Sequence, residues 1–215
     1  FGKRVARAYP RHALALVARD RLDHSAAAEH LRSAGVAAEQ SNRVALRAKH
    51  RWLDAVRTTL AEGSPKALAT LAATPPPALA PPVVVAADRD LQIRLRIATG
   101  NLLAAGDIIA GAPSISQGAR FDFALASGHL VEARAVIDSW TSPAGDRRGA
   151  LGLLVRRGAL LAAEGQRRLS ISVVNEAVLR AEPGALRAPF LEVPSMISLL
   201  KSDVQLLSQP FVRSI

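Results

Sequence analysis

Residues 159–200 read ALLAAEGQRRLSISVVNEAVLRAEPGALRAPFLEVPSMISLL, and this stretch decides the predicted fold. In its middle the large apolar residues Ile171, Val174 and Val178 recur at steps of three and four. This spacing predicts an amphipathic helix that buries one apolar stripe. Charged and polar residues fall mainly on the other sides of the same helix, so the stretch is typical of a helix packed on neighbours.

A second apolar-rich helix is predicted just upstream, at residues 151–164, and it ends near Gly165. The downstream helix ends at Pro183 and Gly184, because proline cannot continue the hydrogen-bond pattern and glycine suits a helix end. Two helices joined by a short turn form a helical hairpin. One hairpin cannot bury both of its faces, so the pattern favours a stack of hairpins.

The downstream part of this stretch carries a motif. It consists of EAVLRAEPG at residues 176–184, followed by Leu186-Arg187, Pro189-Phe190-Leu191 and Leu199-Leu200. The motif resembles the end of the helical-repeat domain of MalT-like regulators, which are LuxR-family transcription factors with a STAND ATPase module. The resemblance is clearest over residues 128–200. It implies an all-α, tetratricopeptide-like helical-hairpin superhelix over residues 1–215, forming the C-terminal part of that repeat domain.

The resemblance also implies partners. In that family the superhelix receives a small-molecule inducer or a regulatory protein, and it governs the ATP-dependent self-association that precedes DNA binding. DNA contact is then expected through a helix-turn-helix beyond Ile215. Because the sequence lacks the P-loop pattern G-x-x-x-x-G-K-[ST], ATP is expected only in an upstream module. We expect no cofactor in this segment and no enzymatic activity of its own.

Composition fits a helical domain with a core of small side chains. Of the 215 residues, 49% are hydrophobic and only 4% are aromatic. A chain of this length forms one large domain or two small ones. Cysteine is absent, which excludes disulfides and thiolate metal sites and fits a cytoplasmic location. No apolar run reaches the ~20 residues that a membrane span requires. Since Phe1 is not an initiator methionine, we expect an internal piece of a longer chain.

The chain carries a formal net charge of +10, which attracts anionic partners or simply reflects arginine as the solvated helix residue. The densest basic patch lies on a helix predicted at residues 42–61, where Arg43, Arg47 and Arg51 step by four. One interpretation is a contact with an anion or an acidic partner. The other is a solvated face, partly paired through Arg51 and Asp54.

A proline-rich segment at residues 75–82 is predicted to be extended, because proline interrupts helices. It joins two sub-lobes, residues 1–74 and 88–215, or it forms a long loop between repeats. Residues 83–85 are predicted as a short strand or as the buried end of that loop. Beyond them, apolar residues at steps of three and four predict one helix over residues 88–105, with a turn at 106–107.

Earlier and later helices follow the same hairpin pattern. Two short helices are predicted within residues 11–34, with Gly35 ending the second. Further on, Phe121, Phe123 and Trp140 are candidates for lining a groove, although core packing explains them as well. Small residues are expected where paired helices touch in tetratricopeptide-like units, and the candidates are Gly128, Ala133 and Ala135.

Catalytic and metal-binding patterns are not found. The five histidines, His12, His24, His30, His50 and His129, show no ligand spacing and are expected on helix surfaces. Neither G-x-S-x-G nor H-E-x-x-H occurs. We therefore predict no catalytic residue and no metal ligand.

Two functions remain in view. The first is the effector-sensing and signal-relay domain of a LuxR-type regulator, without the ATPase and DNA-binding modules. The alternative is a free-standing helical-repeat adaptor that binds an acidic protein or a nucleic-acid backbone through its arginines. An enzyme has no support beyond the cleft that any superhelix forms.

Overall fold

The structure is a computed structural model, and it describes residues 2–40, 43–112 and 114–215. These residues form fourteen α-helices and one short 3₁₀ helix, with no β-strand among them. The predicted all-α class is therefore confirmed. The chain divides into two compact units, residues 1–115 and residues 116–215. None of the described helices is both long enough and apolar enough to cross a membrane.

In the first unit the helices form hairpins that stack on one another. The helices are α1 (Gly2–Asp20), α2 (His24–Gln40), α3 (Val44–Glu62), α4 (Ser64–Ala73), α5 (Pro82–Ala98) and α6 (Leu102–Gly111). They pair in chain order, α1 with α2, α3 with α4 and α5 with α6. In addition, α3 packs on α1 and α2, and α5 packs on α3 and α4. Each hairpin therefore rests on the one before it, as in helical repeats.

The helix predicted over residues 88–105 is wrong, because the chain breaks between α5 and α6. Gly100 has a φ of +76°, in the left-handed region that ends helices. The side chain of Asn101 then accepts a hydrogen bond from the amide of Ala104 at 3.2 Å and caps α6. The turn expected at residues 106–107 lies inside α6 instead.

The proline-rich segment is a loop between two hairpins, which is the second of its two predicted alternatives. It connects α4 to α5 inside the first unit, whereas the chain divides at residues 115 and 116. The sub-lobes 1–74 and 88–215 therefore do not correspond to the two compact units. Residues 83–85 are neither a strand nor a buried loop end. They form the first turn of α5, where Pro82 at the first helical position fits the helix without a lost hydrogen bond.

The second unit contains two further hairpins and a run of short helices. Its helices are α7 (Gln117–Ala126), α8 (Leu130–Ser139), α9 (Arg147–Ala163), α10 (Arg167–Ala181), the 3₁₀ helix (Glu182–Gly184), α11 (Ala188–Leu191), α12 (Pro194–Ser202), α13 (Val204–Ser208) and α14 (Pro210–Arg213). α7 pairs with α8, and α9 pairs with α10. α9 also packs on α7, α8, α11 and α12, which makes it the central helix of this unit.

The stretch at residues 159–200 supplies much of the core of this unit. Val174 and Val178 on α10 are buried, and they join Phe190 and Met196 in one cluster with α9. The 3₁₀ helix at Glu182–Gly184 ends α10 at the predicted place. The apolar residues after it therefore fold back onto the hairpin and cover it.

Among the small residues expected at helix contacts, only Ala133 is buried. Ala135 is exposed, and Gly128 has a φ of +76° in the turn between α7 and α8. A close small-residue contact in the second unit involves Gly158 on α9, where an added Cβ would lie 2.7 Å from Cγ2 of Val174. Gly128 therefore serves the turn, and Gly158 allows α9 and α10 to approach closely.

Candidate functional site

A pocket of about 250 Å³ lies in the first unit, between α2, α3 and α4. Its lining from α3 consists of Arg47, His50, Arg51 and Asp54. The remainder comes from Ala38 and Glu39 of α2, Thr70 of α4 and Thr74 just after α4. The pocket thus combines side chains of both charges with a histidine, and three segments of the chain must come together to form it.

The length of α2 brings two of these residues to the pocket. Gly35 was expected to end this helix, but α2 continues to Gln40 and carries Glu39 with it. Gly35 is buried, and a Cβ added there would lie 2.7 Å from Nε2 of His50. The glycine therefore makes room for the His50 ring of α3 rather than stopping the helix.

Arg51 does not belong to a solvated basic patch, and the prediction for it is wrong. It is buried, and its guanidinium pairs with the carboxylate of Asp88, not with that of Asp54. It also donates to the carbonyl oxygens of Leu71, at 2.9 Å, and Thr74. With one counter-ion and two carbonyls as acceptors, Arg51 is a structural cation that ties α3 to α4 and α5.

The other two arginines of the predicted patch, Arg43 and Arg47, are exposed. Of these, Arg47 lines the pocket and Arg43 does not. Arg47 makes no hydrogen bond or ion pair with another described residue, and the same holds for Glu39 of α2. Asp54, which also lines the pocket, accepts a hydrogen bond from Nε of Arg57 at 3.2 Å.

A pair of histidine rings lies beside the pocket, between α1 and α3. His12 is fully buried, which contradicts its expected surface position, and its ring centroid lies 5.8 Å from that of His50. Both ring nitrogens of His12, and Nδ1 of His50, are buried without a hydrogen-bond partner among the described residues.

These surroundings keep both rings neutral. Burial, helped by His50 and Lys49, lowers the pKa of His12 to about 4. Burial also lowers the pKa of His50, although Asp54 and Glu39 pull it upward. The two carboxylates are therefore close enough to His50 for their charges to act on it.

The aromatic groove candidates belong to the second unit, where Phe121 and Trp140 pack in one core cluster. Phe121 is fully buried in a core cluster, so it cannot line a groove. Phe123 and Trp140 are half-buried. The Trp140 ring lies 5.5 Å from the guanidinium carbon of Arg156, which makes two hydrogen bonds of 2.8 Å to Asp122. Trp140 thus covers a buried ion pair.

Metal ligation finds no support in the part of the chain that the structure describes. No group of three or more His, Asp or Glu side chains there is arranged to hold a metal ion. Among the described residues, His12 and His50 form the histidine pair whose rings lie against each other.

The sequence pointed to two pocket residues, Arg47 and Arg51, and it missed the rest of the site. His50 lies three residues after Arg47 and was noted only as a surface histidine. Glu39, Thr70 and Thr74 come from other helices or from a loop, and no spacing rule connects them with α3. Only the packing of α2 and α4 on α3 brings them together.

A scan against protein-family models finds no match to this chain, and searches among curated proteins and among solved structures find no match either. The resemblance to MalT-like regulators therefore stays a prediction that rests on the residues quoted above.

Proposed function

We propose that this chain is the effector-sensing and signal-relay domain of a LuxR-type, MalT-like transcriptional regulator that works in the cytoplasm. In this proposal the domain takes a tetratricopeptide-like superhelical course. It receives a small-molecule inducer or a regulatory protein and passes the signal to neighbouring modules. Those modules supply ATP hydrolysis, self-association and DNA binding, and the domain itself catalyses no reaction.

The observation that carries the proposal is the packing order of the helices. In the first unit each hairpin packs on its predecessor through both of that hairpin's helices, and in the second unit α9 packs on α7 and α8 in the same way. Hairpins stacked in this order form extended surfaces, and small shifts between neighbours change the course of the whole stack. Such an arrangement suits reception and relay of a signal.

The pocket between α2, α3 and α4 is the proposed effector site. Arg47 and Glu39 on its walls make no hydrogen bond or ion pair with another described residue, whereas most other ionic groups nearby are paired. A ligand held there would contact two successive hairpins at once, because α2 belongs to one and α3 and α4 to the next. Binding would therefore bias the packing between hairpins, which is what a relay requires.

Two measurements test this function. The first is the coding sequence around these 215 residues, where we expect a P-loop upstream and a helix-turn-helix downstream. A reading frame without a helix-turn-helix would overturn the transcriptional role. The second is a thermal-shift screen of metabolites, in which a ligand at 100 times its Kd stabilises the fold by ~2.7 kcal/mol. The Arg47→Ala variant should lose that response, and Arg43→Ala should keep it.

The adaptor alternative has one observation in its favour, the uneven charge. Residues 1–115 hold 16 lysines and arginines against 9 aspartates and glutamates. An adaptor of this charge should bind unrelated nucleic acids with an affinity that falls steeply with salt, at a slope reporting several phosphates. A salt titration of the chain with a random-sequence duplex decides this. Absence of binding at low salt excludes a nucleic-acid adaptor.

A further inference from the structure

We infer that the pocket between α2, α3 and α4 selects a small zwitterion of the amino-acid class, a ligand that carries one carboxylate and one ammonium group. The inference rests on the proposed effector site, and it names the chemistry of that effector. Its basis is the charge that remains in the pocket after the internal ion pairs are accounted for.

The pocket contains four ionised side chains, and two of them are already compensated. Arg51 is paired with Asp88 and donates to two backbone carbonyls. Asp54 accepts from Arg57 at 3.2 Å. The guanidinium of Arg47 and the carboxylate of Glu39 remain, each without a hydrogen bond or ion pair among the described residues. The site therefore offers one cation and one anion to a ligand.

These two groups come from different helices, Glu39 from α2 and Arg47 from α3. A ligand with a single negative charge would pair with Arg47 and bring its charge toward Glu39. A ligand with a single positive charge would pair with Glu39 and bring its charge toward Arg47. A ligand with both charges satisfies both groups, and charge-assisted hydrogen bonds of this kind are about twice as strong as neutral ones.

Size and the neutral part of the lining restrict the ligand further. A volume of about 250 Å³ lies below the ~300–1,000 Å³ of pockets that hold drug-sized molecules. Ala38, Thr70 and Thr74 add apolar and hydroxyl-bearing surface. His50 adds an imidazole that burial keeps neutral. A free amino acid with a short side chain matches this combination of size, charge and polarity.

The test is isothermal titration calorimetry on the whole chain at pH 7.5 and low salt. The probes are the free protein L-amino acids, with butyrate and butylamine as probes that carry one charge each. At least one amino acid should bind, and both single-charge probes should fail to bind at the same concentration. Arg47→Ala and Glu39→Gln should each weaken binding by about tenfold or more.

Matched controls are Arg43→Ala, just before α3, and Glu29→Gln on α2, both exposed and outside the pocket. They should bind the amino acid as the unchanged chain does, and circular dichroism should show all four variants folded. If butyrate or butylamine binds as tightly as the amino acid, or if no amino acid binds, the inference is overturned. A different metabolite whose binding depends on Arg47 would also overturn it while leaving the sensing function standing.

Discussion

At the scale of single residues, α10 approaches α9 closely at Gly158. An added Cβ would lie 2.7 Å from Cγ2 of Val174 and 3.5 Å from Cε of Met196, and both side chains are fully buried. The hydroxyl of Ser170 also donates to the carbonyl of Gly158 at 2.7 Å. A Cβ at position 158 would therefore press on the buried side chain of Val174.

We predict that Gly158→Ala destabilises the fold by about 1–3 kcal/mol, because overpacking against stiff, buried Val174 outweighs the better helix propensity of alanine. The matched control is Gly111→Ala at the end of α6, where no described atom lies within 4 Å of the new Cβ. Urea unfolding followed by circular dichroism measures both. Equal stability of Gly158→Ala and the unchanged chain would contradict the contact.

His12 gives a second prediction at this scale, on pH. Its pKa is about 4 in the fold and 6.5 when exposed, so the unfolded chain binds the proton more readily. Its contribution is therefore intact above pH 6.5 and declines as the pH falls from 6.5 toward 4. By pH 5 the loss should be on the order of 1–2 kcal/mol.

The His12→Phe variant isolates this effect, since it keeps a planar ring and removes the titration. Urea titrations measure the unfolding free energy of both proteins. Between pH 7.5 and 5 the unchanged chain should lose more stability than His12→Phe. Between pH 7.5 and 9 the difference between the two proteins should stay constant. A difference that is constant over the whole range would show that His12 is not held neutral.

At the scale of helices, both units use the same device to join consecutive hairpins. A buried Arg–Asp pair links α3 to α5 through Arg51 and Asp88, and another links α7 to α9 through Asp122 and Arg156. In each case the pair joins the first helices of two neighbouring hairpins. Burial disfavours the charge of Arg156, but Asp122 outweighs it and raises the pKa of Arg156.

We predict that Asp122→Ala costs about 3–5 kcal/mol, because it leaves the guanidinium of Arg156 buried without a counter-charge. The control is Glu176→Ala, which removes an exposed ion pair with Arg180 on α10 and should cost less than ~1 kcal/mol. The double variant Asp122→Ala with Arg156→Leu should recover part of the loss. Urea titrations compare the four proteins, and a cost for Asp122→Ala no larger than the control would refute the role of the pair.

The helices also show what the sequence can and cannot predict. Periodicity located α3, α9 and α10 within a few residues, because each has a clear apolar stripe or a clear terminator. The two glycines Gly35 and Gly100 were misjudged in opposite senses. Gly35 continues a helix because a neighbouring ring occupies its side, and Gly100 ends one through its positive φ. The packing around Gly35 is invisible in the local sequence, whereas Asn101 after Gly100 was a usable cap signal.

At the scale of the whole chain, the repeated helical pattern could be predicted from the sequence. The pocket could not be predicted, because residues distant in sequence form it. The all-α class followed from composition, apolar spacing and the resemblance to a helical-repeat domain. The pocket did not, because its residues are spread from Ala38 to Thr74 over three helices and a loop. The prediction for Arg51 failed for the same reason, because its partner Asp88 lies 37 residues away, beyond the proline-rich segment. Spacing on one helix cannot reveal such a partner.

The motif that first suggested helical repeats should also be the most important for stability in its unit. Phe190 is fully buried, and its ring lies 6.0 Å from that of Phe211 in an edge-to-face arrangement. It belongs to a cluster that draws residues from α9, α10 and the short helices after them. The clusters that contain residues of the first unit do not include Phe190.

We therefore predict that Phe190→Ala costs about 3–5 kcal/mol and that hydrogen exchange quickens across α9 to α14. Leu179→Ala on the exposed side of α10 is the matched control and should cost far less, since that side chain is 69% exposed. Exchange rates of α1 to α3 serve as the internal reference, because those helices have their own apolar clusters. If Phe190→Ala leaves exchange in α9 and α10 unchanged, the residues after α10 do not cover the hairpin in solution, and the structural basis of the resemblance is lost.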